Sequence, residues 1–424
     1  MRTDVKLSTK FLTTQNAHQV GVLVTLSGEV PLQRAPINVA LVLDRSGSMS
    51  GRPLEAAKDA AKRFAGFLGA GDRLTVVTFD SEVHTIFGPA PAGDPVALEA
   101  IDRIQDGGYT NLSGGWLQGL THVKSGLVDG VNRIVLLTDG QANQGVTDGD
   151  LLVGMAGGAA QERVSTTCIG FGADFNEDLL QTMAKGGTGN YWYVEKDDQM
   201  AGIFAEEIEG LVALAAQNVV VEVELTHPKA AGVSFLQSYP VQVTPDNRWR
   251  ITLGDCYATS PLVLGMIVHI EDLAALGDVQ VASVRTEADV IRPDGIEHLV
   301  TVLPVRANLD GTDHPEPTVE RTFLRFEAAK AREDAVRQAD LGDFDGAARS
   351  LSAACASMAP YAEHDIVLQE EVADLGREAA RLAERRYTAA DRKYHQARSS
   401  SAREMKEAYL RKISRQPPPG AEER

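Results

Sequence analysis

Cysteine is scarce: Cys168, Cys256 and Cys355 are the only three in 424 residues, and they stand far apart. Their spacing excludes a disulfide framework and a zinc pattern, and reads as a reduced, cytoplasmic protein. Long apolar runs are missing as well. No uncharged apolar stretch reaches the roughly 18 residues of a membrane span, and the opening MRTDVKLSTKFLTT lacks the apolar segment of a signal peptide. Positive charge is in deficit, with 41 Lys and Arg against 59 Asp and Glu and a net charge of −18, which argues against a general binder of nucleic acid or anionic membrane. The deficit is uneven. Residues 320–424 hold 19 acidic and 19 basic side chains, so the 40 acidic and 22 basic residues before them carry all of it.

Catalytic signatures are absent too. There is no G-x-S-x-G elbow, no G-x-x-x-x-G-K-[ST] phosphate loop and no H-E-x-x-H helix. GFGADF, from Gly170, departs from the dinucleotide fingerprint at its last position. A phosphatase with an aspartyl nucleophile would need a second Asp two residues after Asp44, where Ser46 stands. The nine histidines are scattered, and His84, His122, His227 and His298 read as surface or satisfied core residues. Trp116, Trp192 and Trp249 read as packing residues, and Cys168 as inert core.

What is present is an ordinary apolar content of 43%, enough for two or three domains. HQVGVLVTLSGEV alternates with period 2, so residues 5–31 read as strands. NVALVLD, residues 38–44, is instead a continuous apolar run ending on an aspartate, as a buried parallel strand would. PLEAAKDAAKRFAGFL follows as a helix with proline at its start. RLTVVTFD, RIVLLTD, VSTTCIGFG and YWYV read as further strands. PVALEAIDRI, NLSGGWLQGLTHVK, DLLQTMAKG and MAGIFAEEIEGLVALAA read as helices. Alternation of this kind implies an α/β fold, a doubly wound and mostly parallel sheet with helices on both faces.

After Gln217 the pattern becomes strand-like in NVVVEVEL, RWRITL, PLVLGMIVHIED and DVQVASVRTEA, which suggests a β-sandwich. An isolated N-terminal hairpin is marginal, so the first strands belong most economically in that sandwich, with the α/β unit inserted between. The expected division is 1–34 as N-terminal strands of the sandwich, 35–216 as the α/β domain, 217–317 as the rest of the sandwich, 318–415 as a helical bundle or hairpin, and 416–424 as a disordered tail. ADLGDFDGAARSL resembles half of a tetratricopeptide unit, but one unit makes no array. Residues 381–415 carry eleven basic and four acidic side chains. They read as a solvated helical face that could meet an acidic partner, nucleic acid or the acidic front of the same chain. No nucleic-acid site is expected there.

Three separated segments carry chemistry. DRSGS supplies Asp44, Ser46 and Ser48 at the end of the first apolar strand. GGYTNLSGG supplies Thr110, and LLTDG supplies Asp139 at the end of another strand. Ligands of a doubly wound sheet bind at the carboxyl ends of its strands, which all three segments can reach. Together they offer only hydroxyl and carboxylate oxygens, a set suited to a hard cation. Gly47, Gly107 and Gly108 are expected to serve the turns around the ion, with Tyr109 flanking it or lining the rim.

These residues resemble the von Willebrand factor A motif, Asp-x-Ser-x-Ser followed by a Thr and then an Asp, over about residues 38–216. The resemblance implies a complete metal-ion-dependent adhesion site holding Mg2+, or Mn2+ or Ca2+. By it, Ser46 and Ser48 ligate directly, Thr110 ligates in the liganded state, and Asp44 and Asp139 act directly or through water. One position is left for an Asp or Glu carboxylate of a protein partner. The whole resembles bacterial cytoplasmic von Willebrand factor A proteins. Its domain order is also similar to inter-alpha-trypsin inhibitor heavy chains and chloride-channel regulators. The expected role is a metal-dependent protein-binding scaffold and not an enzyme. The alternatives are an adaptor for a MoxR-type AAA+ chaperone and a metal-dependent hydrolase, but no His or Glu falls in the three motif segments to act as a base.

Overall fold

The computed structural model describes residues 1–12, 17–29, 34–172, 174–237, 239–271, 277–292, 295–363 and 365–403. The tail expected at 416–424 and the end of the basic segment, 404–415, lie outside them. Two strands open the chain, β1 (Arg2–Leu12) and β2 (Ala17–Ser27). The α/β unit follows as β3 (Ile37–Asp44), α1 (Arg52–Phe67), β4 (Arg73–Phe79), β5 (Val83–Pro91), α2 (Pro95–Asp102), α3 (Leu112–Ser125), β6 (Val131–Thr138), α4 (Gly149–Gln161), β7 (Ser165–Phe171), α5 (Glu177–Gly186), β8 (Thr188–Val194) and α6 (Asp197–Val212). Its sheet runs β5-β4-β3-β6-β7-β8. Only the edge strand β5 is antiparallel within it.

Strands buried on both faces need cover on both, and the side chains of β3 alternate accordingly. Val39, Leu41 and Leu43 pack with Phe64 of α1 and Phe204 and Ile208 of α6. Ala40 and Val42 pack with Trp116 of α3, Leu152 of α4 and Leu180 of α5. Short polar side chains start the helices. Asn111, Asp148 and Asn176 each accept a backbone N–H in the first turn of α3, α4 and α5, a cap that stabilises a helix by about 1 kcal/mol.

Beyond α6 come β9 (Leu214–Leu225), β10 (Ala230–Phe235), β11 (Val241–Val243), β12 (Trp249–Tyr257), β13 (Leu262–Ile270), β14 (Gly277–Arg292) and β15 (Gly295–Leu309). They form two antiparallel sheets, and the N-terminal hairpin joins one of them in the order β1-β2-β13-β10. β2 pairs with β13 from Leu26 opposite Leu262 to His18 opposite Ile270. The other sheet runs β11-β12-β9-β14-β15. Val20, Val22, Val24 and Leu26 of β2 share one core with Val219, Val221 and Val223 of β9 and Val284 of β14.

Several elements depart from the sequence reading, β10 and β11 among them, which it did not anticipate. α6 stops at Val212, and the Leu-Ala stretch assigned to it begins β9 instead, because Ala216 is held between Cys256 and Val290 in the sheet. α4 carries Gly149, Gly154, Gly157 and Gly158, a composition that argues against a helix until Leu152 and Ala156 are buried under the sheet. β5 contains Gly88, Pro89 and Pro91, tolerable because it is an edge strand. β15 was not anticipated either. Its inward Val305, Ala307 and Leu309 alternate with exposed Pro304, Arg306 and Asn308.

The helical region consists of α7 (Pro317–Asp340), α8 (Phe344–Ala362), α9 (Ile366–Ala383) and α10 (Ala389–Arg403). Val319 and Phe326 of α7 pack on Leu23 and Val263, covering the outer face of β2 and β13. Among the described residues no helix is long and apolar enough to cross a membrane. The described part of the basic segment meets acids of its own chain. Arg392 bonds to Glu177, Asp178 and Asp340, and Arg398 to Glu371 and Asp374.

Arg332, fully buried in α7, bonds to Glu371 and, at 2.8 Å, to Glu378. Arg398 donates to Glu371 at 2.9 Å. Burial alone would raise the Glu371 carboxyl, but Arg332 and Arg398 override it and hold it down at about 2. A carboxyl held down in the folded state stabilises the fold above its unfolded value of about 4.3 and ceases to do so as pH falls toward 2. Helical ellipticity is therefore expected to hold from neutral pH to about 5 and to melt below it, with up to about 3 kcal/mol lost. In Glu371→Gln the starting stability should be lower and the acid dependence shallower, as read by circular dichroism across that window.

Candidate metal centre at the switch point of the sheet

β3 lies between β4, which follows it, and β6, reached after a crossover. The winding reverses there, and the carboxyl ends of β3 and β6 open a crevice. Asp44 is the last residue of β3, and Asp139 is the first after β6. A short 3-10 turn, Gly47–Met49, carries the chain from Asp44 toward α1.

Hydrogen bonds link four of the five residues expected from the sequence. Asp44 is fully buried, and its Oδ1 accepts the Ser46 N–H at 2.8 Å. Ser46 Oγ lies 3.2 Å from Ser48 Oγ, and Ser48 Oγ donates to Asp139 Oδ1 at 2.7 Å. Thr110 is buried on the neighbouring loop, and a Cβ built on Gly140 would stand 2.9 Å from its Oγ1, so it abuts the Asp139 turn. Its N–H donates to Asn143 Oδ1 at 2.9 Å, which ties the two loops together.

The charge in this crevice is unbalanced. Burial pushes the Asp44 carboxyl up to about 6, even though Thr138 and Ser46 donate to it. Burial raises the Asp139 carboxyl as well. Arg45, the cation nearest in sequence, turns to Asp80 Oδ2 at 3.1 Å and to the Gln105 carbonyl at 3.3 Å. Two carboxylates and three hydroxyls thus converge, with the adjacent arginine engaged elsewhere. That donor chemistry fits a hard divalent cation such as Mg2+.

Residues outside the expected set hold this geometry. Thr138 Oγ1 donates to Asp44 Oδ2 at 2.5 Å. Asp80, directly after β4, accepts the Gly108 N–H at 3.1 Å through its side chain and the Asn111 N–H at 2.9 Å through its carbonyl. Burial would raise its carboxyl, but the N–H groups of Glu82 and Gly108 and the Arg45 guanidinium hold it below the usual range. The glycines serve close approach and not a left-handed backbone, for none of Gly47, Gly107 and Gly108 has positive φ. A Cβ on Gly107 would fall 1.7 Å from Asp80 Oδ2, and one on Gly108 2.4 Å from Ser81 Oγ. Tyr109, next to Thr110, is 73% exposed.

Known proteins resemble this chain to different extents. An uncharacterised protein of Synechocystis sp. is 27% identical over 347 residues, 79% of this chain and 82% of its own. Human inter-alpha-trypsin inhibitor heavy chain H1 is 27% identical over 215 residues, 48% of this chain, but the match spans only 23% of that much longer protein. A solved von Willebrand factor type A protein from Catenulispora acidiphila has the same fold over 87% of this chain and 88% of its own, with a TM-score of 0.66 at 19% identity. The ArnB paralog VWA2 from Sulfolobus acidocaldarius matches 95% of this chain and 98% of its own, with a TM-score of 0.57 at 14% identity. Residues 38–206 match the family model of the von Willebrand factor type A domain. With the sheet order and the crevice described above, that match makes residues 38–206 a von Willebrand factor type A domain.

Proposed function

We propose that the chain is a cytoplasmic scaffold that binds a divalent cation, Mg2+ foremost, at Asp44, Ser46, Ser48, Thr110 and Asp139, and through it a carboxylate of a protein partner. The observation carrying this reading is the pair Asp44 and Asp139, joined through Ser46 and Ser48 with the adjacent Arg45 paired away. Mg2+ prefers six oxygens, and mostly neutral hydroxyl ligands leave it able to attract an outside Asp or Glu. Thr110→Ala is expected to weaken partner binding by roughly tenfold or more, while Mg2+ affinity falls by less. Calorimetric titration with Mg2+, beside pull-downs with Mg2+ and with EDTA, tests both. Metal lost with partner binding intact would make the ion structural and place the partner elsewhere.

The architecture belongs to the same proposal. Residues 35–216 are read as an insertion in a β-sandwich built from 1–34 and 217–317. The pairing of β2 with β13 and their shared apolar core support it. Deleting 1–34 strips β13 of that neighbour and should unfold the β-domain, while 35–216 alone should fold cooperatively. Unaltered thermal unfolding after the deletion would refute the insertion.

A further inference from the structure

The bonds that link Asp44, Ser46, Ser48 and Asp139 do not include Thr110, whose hydroxyl is placed through its own backbone. That backbone is anchored on two sides. Toward β4, Asp80 Oδ2 accepts the Gly108 N–H at 3.1 Å and Ser81 Oγ accepts the Tyr109 N–H at 2.9 Å. The Asp80 carbonyl accepts the Asn111 N–H at 2.9 Å. Toward β6, a single residue holds both polar groups of Thr110. Asn143 Oδ1 accepts the Thr110 N–H at 2.9 Å, and the Asn143 N–H donates to the Thr110 carbonyl at 3.3 Å. The side-chain amide can face only one way here, because the Thr110 N–H needs its oxygen.

Asn143 follows Asp139 in the loop that leads to α4, and its neighbours fasten that loop. Ala142 and Val146 pack against the core that holds Trp116 of α3 and Leu152 of α4. The Val146 N–H donates to Ser113 Oγ, in the first turn of α3, at 2.8 Å. Asn143 itself is exposed, so the loop keeps its place without help from that side chain. Thr110 is the reverse case. It is 3% exposed, which leaves its N–H little water to turn to. Its Oγ1 is held so close to the Asp139 turn that a Cβ on Gly140 would stand 2.9 Å from it.

We propose that Asn143 is a positioning residue for the metal centre: by clasping both backbone groups of Thr110 it holds the Thr110 hydroxyl against the Asp139 turn. This rests on the metal reading above and extends it to a residue outside the five ligands. Without the Asn143 oxygen the Thr110 N–H is left unsatisfied in a buried place, and the loop relieves it by turning toward water. The hydroxyl then leaves the Asp139 turn. The site keeps its charge but loses an oxygen whose placement a cation with octahedral demands is sensitive to.

The test is a titration of the full chain with Mn2+, following the spectrum of the free ion. Asn143→Ala should weaken Mn2+ binding by roughly threefold, and no more than Thr110→Ala does. Joining the two changes should cost no more than Thr110→Ala alone, since Asn143 acts only through Thr110. Hydrogen exchange at the Thr110 amide should quicken in Asn143→Ala. Asn143→Asp keeps an oxygen acceptor, so there the amide should stay protected and Mn2+ binding should not fall below the wild type. Additive losses in the double variant would overturn the proposal, and so would wild-type Mn2+ affinity in Asn143→Ala once its Thr110 amide has opened. An amide as protected in Asn143→Ala as in the wild type would overturn it too, for the clasp would then hold nothing. Thr110→Ala with wild-type affinity would take Thr110 out of the ligand set, and this role of Asn143 with it. A wild-type chain that takes up no Mn2+ would instead refute the metal centre itself.

Discussion

Replacing Asp44 by asparagine should abolish divalent-cation binding and leave the fold intact. Asp44 closes β3 with no exposed surface, and its two oxygens are held by Ser46 and Thr138. Both of those partners are neutral. Burial lifts the carboxyl to about 6, so the ionised form present at neutral pH is one the empty crevice tolerates poorly. Asparagine keeps the shape and removes that charge, and the variant should be at least as stable as the wild type in EDTA. Saturating Mg2+ should separate the two proteins. At about 100 times its dissociation constant a ligand stabilises the folded state by about 2.7 kcal/mol, a rise of several degrees in Tm for the wild type and none for Asp44→Asn. Loss of affinity should be well beyond a hundredfold, since residues that only orient ligands already cost about tenfold to a hundredfold. Unchanged Mg2+ affinity in a calorimetric titration would move the ion away from this crevice.

The five candidate residues can be picked out of the sequence because they stand at the ends of apolar strands or in the turns that lead into helices. Asp44 and Asp139 end apolar runs, and the hydroxyls follow within turns, so the carboxyl edge of a parallel sheet gathers them without long-range information. Asp80 was not legible by the same logic, although it too follows an apolar strand. Its side chain reaches the Gly108 N–H, 28 residues further on, which no local pattern displays. Thr138 went unnoticed inside a quoted motif because its role is to donate to Asp44, 94 positions away. Two of the missed elements share a cause. α4 is glycine-rich and β5 proline-rich, and both are sustained by tertiary packing that overrides their local preference. The basic C-terminal helices carried charge without a visible addressee, and only the folded chain shows Arg392 and Lys393 meeting Glu177.

Asp255→Asn should be among the most destabilising single changes in the molecule, at about 3–5 kcal/mol. Asp255 of β12 pairs with Arg133 of β6, and neither side chain is more than 3% exposed. Glu207 of α6 is also near, at 4.0 Å from the guanidinium. Its oxygens, however, already accept Thr167 Oγ1 at 2.6 Å, Asn190 Nδ2 at 2.7 Å and Trp192 Nε1 at 2.8 Å. Burial would favour a neutral Arg133, but Asp255, Tyr257 and Glu207 together keep it charged. Removing the Asp255 charge strands that cation where water does not reach. A domain holds only about 5–15 kcal/mol in all, so the loss is a large fraction. The pair also joins the α/β sheet to the β-domain, so the variant should lose coupling as well as stability. Trp192 in β8 and Trp249 in β12 report on the two sides, and single-tryptophan versions should give urea transitions that coincide in the wild type and separate in Asp255→Asn. Arg133→Met should be similarly harmful because it takes from the buried Asp255 carboxylate the cation that faces it. Arg133→Met with Asp255→Leu should recover most of the stability, as apolar replacement of a whole buried pair often does. Two damaging single changes and a mild double would identify charge as the tie. A double variant as unstable as the singles combined would mean that packing at these positions, not the ion pair, holds the two domains together.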